Sequence, residues 1–375
     1  MINKTVGFIC PVDKEFDIND IYSKGLGGSE SWIINMAMQF SDNGYHVIIF
    51  NNNEFSMNYE ENSGIEILPL WYLNKVSKYQ YFEHLFFNRL ITIDTINILK
   101  ENNNCKNIYC IVHDIHLWKN NIFFINDPNS TLNNDDIIEN KYLQEHLRKI
   151  FFMSDWHVSI NKQLCKYDDS LIDIIGNGIN IPDSIDFNNR DNNILWSSCK
   201  ERGLQLFIDK ILPRIVKKIP DFKLYISSYS ALPDVKSDYQ DHIKILGLLN
   251  KTDLYNEMKK HKVSFLPLQH WETFCITSIE NVVNGVIFIS PYKFGLKTIF
   301  KYFEPLFIKD GNYDDDNYCD YVVNEIIYKI NNYDQYINIQ KILYSYIKDN
   351  YSCQKIFNNL LDKIKVYETS NSYYL

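Results

Sequence analysis

The sequence lacks any run of about 18 consecutive apolar residues, the length that a helix needs to cross a bilayer. It starts with a short β-type run, residues 5–10, and not with the apolar segment of a secretory signal peptide. We therefore expect no transmembrane segment and a cytoplasmic location. Peripheral contact with a membrane stays open.

The sequence also lacks an excess of basic residues and a cysteine framework. Lys and Arg total 38 against 47 Asp and Glu, a formal net charge of −9. This balance argues against a nucleic-acid-binding protein, because no broad basic surface can be assumed. A local basic pocket for one diphosphate remains compatible with it. The 8 cysteines show no framework spacing, which favours a reducing compartment.

Apolar residues make up 45% of the 375 positions, enough for well-buried cores in about two domains. In the first half, β-type runs alternate with stretches long enough for crossover helices. This alternation is typical of a mostly parallel sheet with helices on both faces. The predicted strands are residues 6–10, 46–50, 65–68, 108–112, 150–153 and 172–175, with crossover helices in 29–41 and 79–100.

A polar segment, residues 180–193, precedes a second pattern of the same kind. The predicted elements are strands at 194–197, 223–227, 243–246, 263–268 and 286–290, and helices at 204–218, 252–260 and 353–366. We predict an α/β chain with two doubly wound, Rossmann-like domains. The predicted boundaries are 1–180 for the N-terminal domain, 181–193 for a linker, 194–350 for the C-terminal domain, and 351–375 for a helix that crosses back to the N-terminal domain.

Residues 270–285, H-W-E-T-F-C-I-T-S-I-E-N-V-V-N-G, place Glu272 and Glu280 around the start of a predicted helix. A helix N-terminus behind a strand presents free N–H groups and a positive dipole end, which suits a diphosphate. A carboxylate two turns further along can accept hydrogen bonds from vicinal hydroxyls, as on a ribose. The segment therefore predicts a nucleotide-linked sugar as ligand. The alternative is two surface carboxylates near a helix start.

Two other segments carry groups that suit an anionic ligand. Residues 25–30, G-L-G-G-S-E, place Gly28 at a predicted helix start, where a backbone can approach a ligand closely. The alternative is an ordinary turn, and the spacing differs from that of a dinucleotide-binding loop. Arg202, with Lys200 nearby, offers a planar fork of donors for a diphosphate. The alternative is a surface cation at a helix start.

His113 follows a strand-like run, where it either binds substrate at the strand end or is a half-buried structural histidine. Cys105, Cys110, His113 and His116 have a zinc-like spacing. Alternate residues of a strand face opposite sides, so a zinc site is disfavoured. The acidic run at 314–316 predicts a solvated loop or a helix start in preference to a metal site.

Six short motifs follow one another along the chain. They are G-G-S-E at 27–30, H-D at 113–114, S-D-W at 154–156, N-G-I-N at 177–180, S-S-C-K-E-R-G-L at 197–204 and E-x7-E at 272–280. In content and order they resemble the family 4 retaining glycosyltransferases of the GT-B fold. Arg202 stands where many members carry a lysine, and serines occupy the region of their earlier arginine.

The resemblance implies a GT-B fold, in which two Rossmann-like domains face each other across a cleft. The acceptor would bind to the first domain and the nucleotide sugar to the second. The implied donor-binding residues are Gly28, Lys200, Arg202, Glu272, Phe274, Cys275, Ile276 and Glu280, and the implied catalytic residues are His113, Arg202 and Glu272.

The implied reaction moves a hexose-type sugar, with retention, from a nucleotide diphosphate sugar to a hydroxyl of a glycan or other glycoconjugate. It needs no metal and no other cofactor. Two alternatives stay open: a nucleotide-sugar epimerase on the same fold, and a catalytically silent sugar-nucleotide or glycan-binding protein.

Overall fold

The structure is a computed structural model that describes residues 4–11, 15–54, 57–58, 64–114, 140–164, 168–228 and 237–371. The chain folds into two compact units, each built around one sheet. The first unit comprises Met1–Asn19, Gly27–Gly178 and Cys353–Leu375, and the second comprises Asp20–Leu26 and Ile179–Ser352.

Within each sheet the described strands are parallel except for one short edge pair, as the alternating pattern predicts. They are β1 (Thr5–Ile9), β2 (His46–Asn51), β3 (Met57–Asn58), β4 (Ile65–Pro69), β5 (Phe82–Asn88), β6 (Cys105–Ile111), β7 (Leu147–Phe152), β8 (Ile172–Ile174), β9 (Asp191–Trp196), β10 (Leu224–Ile226), β11 (Ile243–Ile245), β12 (His261–Phe265) and β13 (Ile287–Ile289). The strand order is β3-β4-β2-β1-β5-β6-β7-β8 in the first unit and β11-β10-β9-β12-β13 in the second. The antiparallel pair is β3 with β4.

The helices alternate with these strands over most of the chain. They are α1 (Asp20–Ser23), α2 (Gly28–Asp42), α3 (Leu73–Val76), α4 (Ile93–Asn102), α5 (Lys141–His146), α6 (Asp155–Leu164), α7 (Leu204–Leu206), α8 (Leu212–Lys218), α9 (Lys251–Met258), α10 (Ile276–Val283), α11 (Leu296–Ile299), α12 (Asp316–Asn331), α13 (Ile337–Tyr351) and α14 (Cys353–Asn371). A π-helical stretch, Phe207–Ile211, joins α7 to α8. No helix in the described ranges is long and apolar enough to cross a membrane.

The prediction of one crossover helix over residues 79–100 is wrong. The structure places β5 (Phe82–Asn88) there, between β1 and β6 at the centre of the sheet, and the helix begins only at Ile93. The run F-E-H-L-F-F-N is buried on both faces of the strand. Such a run lacks the polar-apolar alternation of a half-buried strand, so periodicity alone does not separate it from a buried helix.

The core of the first unit is a layer of stacked aromatic rings across its central strands. Phe86 stacks on Phe8 and on Tyr109, with ring centroids 5.3 and 5.0 Å apart. Helix α14 returns from the end of the chain and packs on α2, where the rings of Phe357 and Phe40 are 4.9 Å apart. The C-terminal helix therefore completes the apolar face of the first unit.

Two short segments belong to the second unit for reasons that the sequence did not reveal. Residues Asp20–Leu26 lie within the predicted N-terminal domain, yet Ile21 is buried and α1 packs against α9. Gly25 lies so close to Leu248 that a Cβ at this position would be 2.2 Å from the Leu248 Cγ. Residues 181–193, predicted as a linker, also belong to this unit.

Candidate functional site

The loop between β12 and α10 carries Glu272 and leads into the helix that carries Glu280. Cys275 caps α10 with a positive φ of 72°, which turns the chain sharply into the helix. Gly295 holds the loop from outside: its N–H donates to the Glu272 carbonyl at 2.9 Å, and a Cβ here would lie 2.4 Å from the Thr273 carbonyl oxygen. The loop conformation therefore depends on glycine at position 295.

Glu272 and Arg202 form the centre of this loop. The Arg202 Nε lies 3.1 Å from the Glu272 Oε2, and an Arg202 Nη1–H donates to the Trp271 carbonyl. The other carboxylate oxygen of Glu272 accepts from the Cys275 N–H at 3.2 Å and from the Phe274 N–H at 3.5 Å. A carboxylate thus occupies the place that the sequence predicts for an anion, at a helix N-terminus beside an arginine.

Arg202 reaches this position from a single 3-10 turn, Lys200–Arg202, that follows β9. The turn ends at Gly203, whose φ of 112° is a left-handed conformation, and a Cβ there would lie 2.6 Å from a Pro267 side-chain atom. The hydroxyl of Thr277 on α10 donates to the Ser197 carbonyl at 3.2 Å. The segment that leads from β9 into the turn is therefore joined to the start of α10, and Lys200 lies partly buried on the turn itself.

Glu280 lies deeper, with 3% of its surface exposed. Its Oε1 forms an ion pair with the Lys251 Nζ, and the Tyr255 hydroxyl donates to the same oxygen at 3.5 Å. Both partners come from α9, and neither was predicted from the sequence. A signal existed: Lys251 starts the helix that follows β11, so it lies at the carboxyl edge of a parallel sheet, where ligands of such folds bind.

In the first unit, α2 begins at Gly28 directly after the capping residue Gly27. The Glu30 side chain is buried, and its Oε2 accepts from the Ser29 hydroxyl at 3.0 Å. A Cβ at position 27 would lie 2.4 Å from this Glu30 oxygen. A Cβ at position 27 would therefore displace the Glu30 carboxylate, which folds back over the helix start, where negative charge is favourable.

His113 lies just beyond the end of β6, with its ring edge against Trp32 at a centroid distance of 5.9 Å. Burial holds the pKa of His113 well below its usual range, and the charges of Arg89 and His157 lower it further. The imidazole is therefore neutral at pH 7 and suited to hydrogen bonding. The neighbouring Asp114 binds the Arg89 Nε at 2.9 Å.

His157 on α6, which was not predicted from the sequence, fixes the backbone next to His113. Its Nδ1 accepts from the Met153 N–H at 3.3 Å, so the proton is on Nε2, which donates to the Asp114 carbonyl at 2.7 Å. Burial lowers its pKa to about 4, which keeps this tautomer neutral. The S-D-W motif provides the helix start, because the Ser154 hydroxyl accepts from the His157 N–H at 3.1 Å.

The residues that the sequence suggests as possible metal ligands lie within the described ranges, except for His116, which lies outside them. Cys105 and Cys110 are buried free thiols, and burial raises the pKa of Cys105 to about 12. Asp315 caps α12 by accepting from the Asn317 N–H at 2.9 Å, and Asp316 pairs with Arg214. The run at 314–316 is therefore a helix start, as predicted.

One group of described side chains has ligand atoms close enough to share a metal ion: Glu83, His84 and Glu368. The Lys106 ammonium already lies between the two carboxylates, 2.6 Å from Glu83 and 3.0 Å from Glu368. A metal ion would have to displace this ammonium. The group is better described as an ion-pair network that attaches α14 to the first sheet.

We expect the first unit to lose stability as the pH falls from about 6.5 to about 4. Burial lowers the pKa of His157 and of His84 to about 4, whereas an unfolded chain protonates histidine near 6.5. The unfolded state therefore binds more protons in this window, so stability is full above it and declines on acidification. Each histidine contributes about 3 kcal/mol to the decline.

Urea denaturation at stepped pH values measures this slope. His157→Gln should flatten it, while His270→Gln, at an exposed position, should leave it unchanged. An unaltered slope in His157→Gln would show that this histidine is not a buried neutral group.

The two mostly parallel sheets and the likeness to solved structures show the fold: the chain has the GT-B fold, as the sequence predicts. No protein-family model matches the chain, and no curated protein matches it. Among solved structures, it is similar to sucrose-phosphate synthase from Thermosynechococcus elongatus, at 12% identity over 98% of this chain and 100% of that chain, with a TM-score of 0.67.

Two other solved structures show the same fold. HepE from Anabaena in complex with UDP-glucose is 11% identical over 96% of this chain and 99% of that chain, with a TM-score of 0.65. A glycosyltransferase from Rickettsia africae ESF-5 is 15% identical over 98% of this chain and 99% of that chain, with a TM-score of 0.64.

Proposed function

We propose that this protein is a retaining, metal-independent glycosyltransferase that moves a hexose-type sugar from a nucleoside diphosphate sugar to a hydroxyl of a glycan or other glycoconjugate. The observation that carries the proposal is the anion site at the start of α10, where Arg202 and two backbone N–H groups hold a carboxylate. The buried Glu280 lies further along the same helix. HepE, which shares the fold, was solved with UDP-glucose.

The donor would bind to the second unit by exchanging one anion for another. Its diphosphate would take the place of the Glu272 carboxylate at Arg202 and at the amides of Phe274, Cys275 and Ile276, with Lys200 as a second cation. Glu272 would then be released to accept hydrogen bonds from hydroxyls of the hexose. Glu280 would accept from the ribose hydroxyls. Arg202, Glu272 and Glu280 are charged, and each is fixed by the contacts described above.

The chemistry requires that negative charge developing on the departing diphosphate be stabilised. Arg202 and the amides at the start of α10 are preorganised donors for this purpose, which explains why we propose no metal. The leaving phosphate would itself accept the proton of the acceptor hydroxyl, on the face from which it departs, so the configuration is retained. We assign no protein nucleophile: Cys275 is buried, and burial raises the pKa of its thiol far above neutrality.

The first unit would contribute the acceptor side, with Gly28 and His113 as its contact groups. A neutral imidazole can donate one hydrogen bond and accept another, to the transferred sugar or to the phosphate. The described cysteines are all free thiols, and we propose that the protein works in the reducing cytoplasm.

The decisive experiment needs no acceptor. A thermal-shift screen against UDP, GDP and ADP selects the nucleotide, and its hexose derivatives are then incubated with the enzyme in excess EDTA. Proton NMR follows the slow hydrolysis of the donor by water and records the anomer of the free sugar before it mutarotates. We expect the anomeric configuration of the donor.

Other outcomes would each reject a part of the proposal. Inversion would exclude the retaining mechanism, and a strict metal requirement would exclude metal independence. Conversion of the donor into an epimer would indicate an epimerase. Binding without any turnover, with or without candidate acceptors, would indicate a binding protein.

A further inference from the structure

The ion pair between Lys251 and Glu280 makes the two oxygens of the Glu280 carboxylate inequivalent. Oε1 accepts hydrogen bonds from the Lys251 ammonium and from the Tyr255 hydroxyl. Oε2 contacts no donor among the described residues. Since 4% of the Glu280 side chain is exposed, against 27% for Lys251, the pair extends from the interior to the surface. One oxygen of Glu280 is thus held by two protein groups, and the other by none among the described residues.

A buried carboxylate without a counter-ion is strongly unfavourable, because the desolvated charge is then left uncompensated. Lys251 supplies this counter-ion from a fixed backbone position. It is the first residue of α9, and the preceding Asn250 caps the helix by accepting from the Asp253 N–H at 2.9 Å. Lys251 therefore neutralises Glu280 and also restricts the rotation of its carboxylate.

We propose, on the basis of the function proposed above, that Lys251 is a positioning residue that makes the donor site selective for ribonucleotides. It holds Oε1 of Glu280 against α9 and so directs Oε2 to a ribose hydroxyl. A hydrogen bond to a charged acceptor discriminates strongly against a ligand without the donating group, by about tenfold or more. The selectivity for ribose over deoxyribose thus depends on a residue that acts through Glu280.

The test is titration calorimetry with the nucleoside diphosphate that the wild-type protein binds among UDP, GDP and ADP, and with its 2′-deoxy and 3′-deoxy analogues. Wild-type protein should prefer the ribonucleotide over at least one analogue by about tenfold or more. Lys251→Met should weaken binding of the ribonucleotide by about the same factor. The affinity for that analogue should stay within about twofold of the wild-type value, so that the preference disappears. Lys251→Arg should restore most of it, because the charge remains.

Three controls make the result specific. Lys259→Met, at the other end of α9, should keep the wild-type preference. Glu280→Ala should abolish the preference, and adding Lys251→Met to Glu280→Ala should change nothing further, as expected for residues that act as one unit. If Lys251→Met does not fold, Lys251→Gln serves instead: it keeps a hydrogen-bond donor without the charge and should lose most of the preference.

The possible failures are distinguishable. If the wild-type protein binds none of the three nucleotides, or if Glu280→Ala retains affinity and preference, the proposed function fails at its donor site. If Glu280→Ala loses the preference but Lys251→Met keeps it, only the role of Lys251 is wrong. If Lys251→Met weakens the binding of the ribonucleotide and of both analogues equally, Lys251 has a structural role and the inference is overturned.

Discussion

Replacing Arg202 by alanine is expected to lower kcat for sugar transfer by about a hundredfold or more, with a smaller change in KM for the donor. Its guanidinium is within ion-pair distance of an anion in the structure, 3.1 Å from the Glu272 carboxylate. In the proposed reaction it faces a phosphate whose charge grows in the transition state. An interaction that strengthens in the transition state appears in kcat. Arg202→Lys should recover only part of the loss, since an ammonium lacks the planar fork of donors.

Arg214→Ala is the matched control for this measurement. The Arg214 side chain is 24% exposed, as is that of Arg202, and it also binds carboxylates, those of Asp316 and Asp320. These carboxylates belong to α12 and not to the loop of Glu272, so kcat should stay at the wild-type value. A rise in KM at constant kcat in Arg202→Ala would contradict the proposal, because it would show that Arg202 binds the ground state and the transition state equally.

Replacing Arg190 by alanine is expected to lower the free energy of unfolding by about 3 kcal/mol or more. Arg190 is 8% exposed, and its described hydrogen bonds all go to backbone carbonyls, among them those of His261 at 2.8 Å and Asp186 at 3.1 Å. It also binds the Asn284 carbonyl at the end of α10 and lies over the Tyr333 ring. Truncation leaves several buried acceptors without donors at once, and each unpaired acceptor costs about 1–3 kcal/mol.

Chemical denaturation of the wild-type protein and of Arg190→Ala measures this loss, and hydrogen exchange shows where it acts, through earlier exposure of the amides of β12 and α10. Arg214→Ala again serves as a control, because its partially exposed ion pairs contribute less than about 1 kcal/mol. Arg190→Lys should be intermediate, because one ammonium cannot reach the carbonyls of Asp186, His261 and Asn284 together. An Arg190→Ala protein as stable as Arg214→Ala would show that these contacts do not hold the segment.

Much of the fold was predictable because the strands of a buried parallel sheet appear in the sequence as short apolar runs separated by helical stretches. The predicted runs that overlap β1, β6 and β12 are short, mostly apolar and bounded by polar residues. Such a run can be recognised as a strand from the local sequence alone. The segment of β5 was missed because Glu83 and His84 interrupt its apolar run, and periodicity alone did not separate it from part of a longer helix.

The candidate site was predictable in the parts that lie close together along the chain. Glu272, the helix start at Ile276 and Glu280 are all within one segment, and the structure confirms the helix and shows an anion at its N-terminus. The roles assigned to these residues stay predictions until a ligand is bound. Lys251 was missed because its partner is 29 positions away, and no local pattern encodes the pairing.

The sequence by itself determined the succession of strands and helices and the groups that can bind an anion, because these follow from local periodicity and from side-chain chemistry. Tertiary structure decided which groups meet. It attached Asp20–Leu26 to the second unit, placed Arg190 over the end of α10, and paired Lys251 with Glu280. The physical reason is that a buried charge is stable only beside a counter-ion or hydrogen-bonding groups. Packing between segments that are distant in the sequence determines which groups these are.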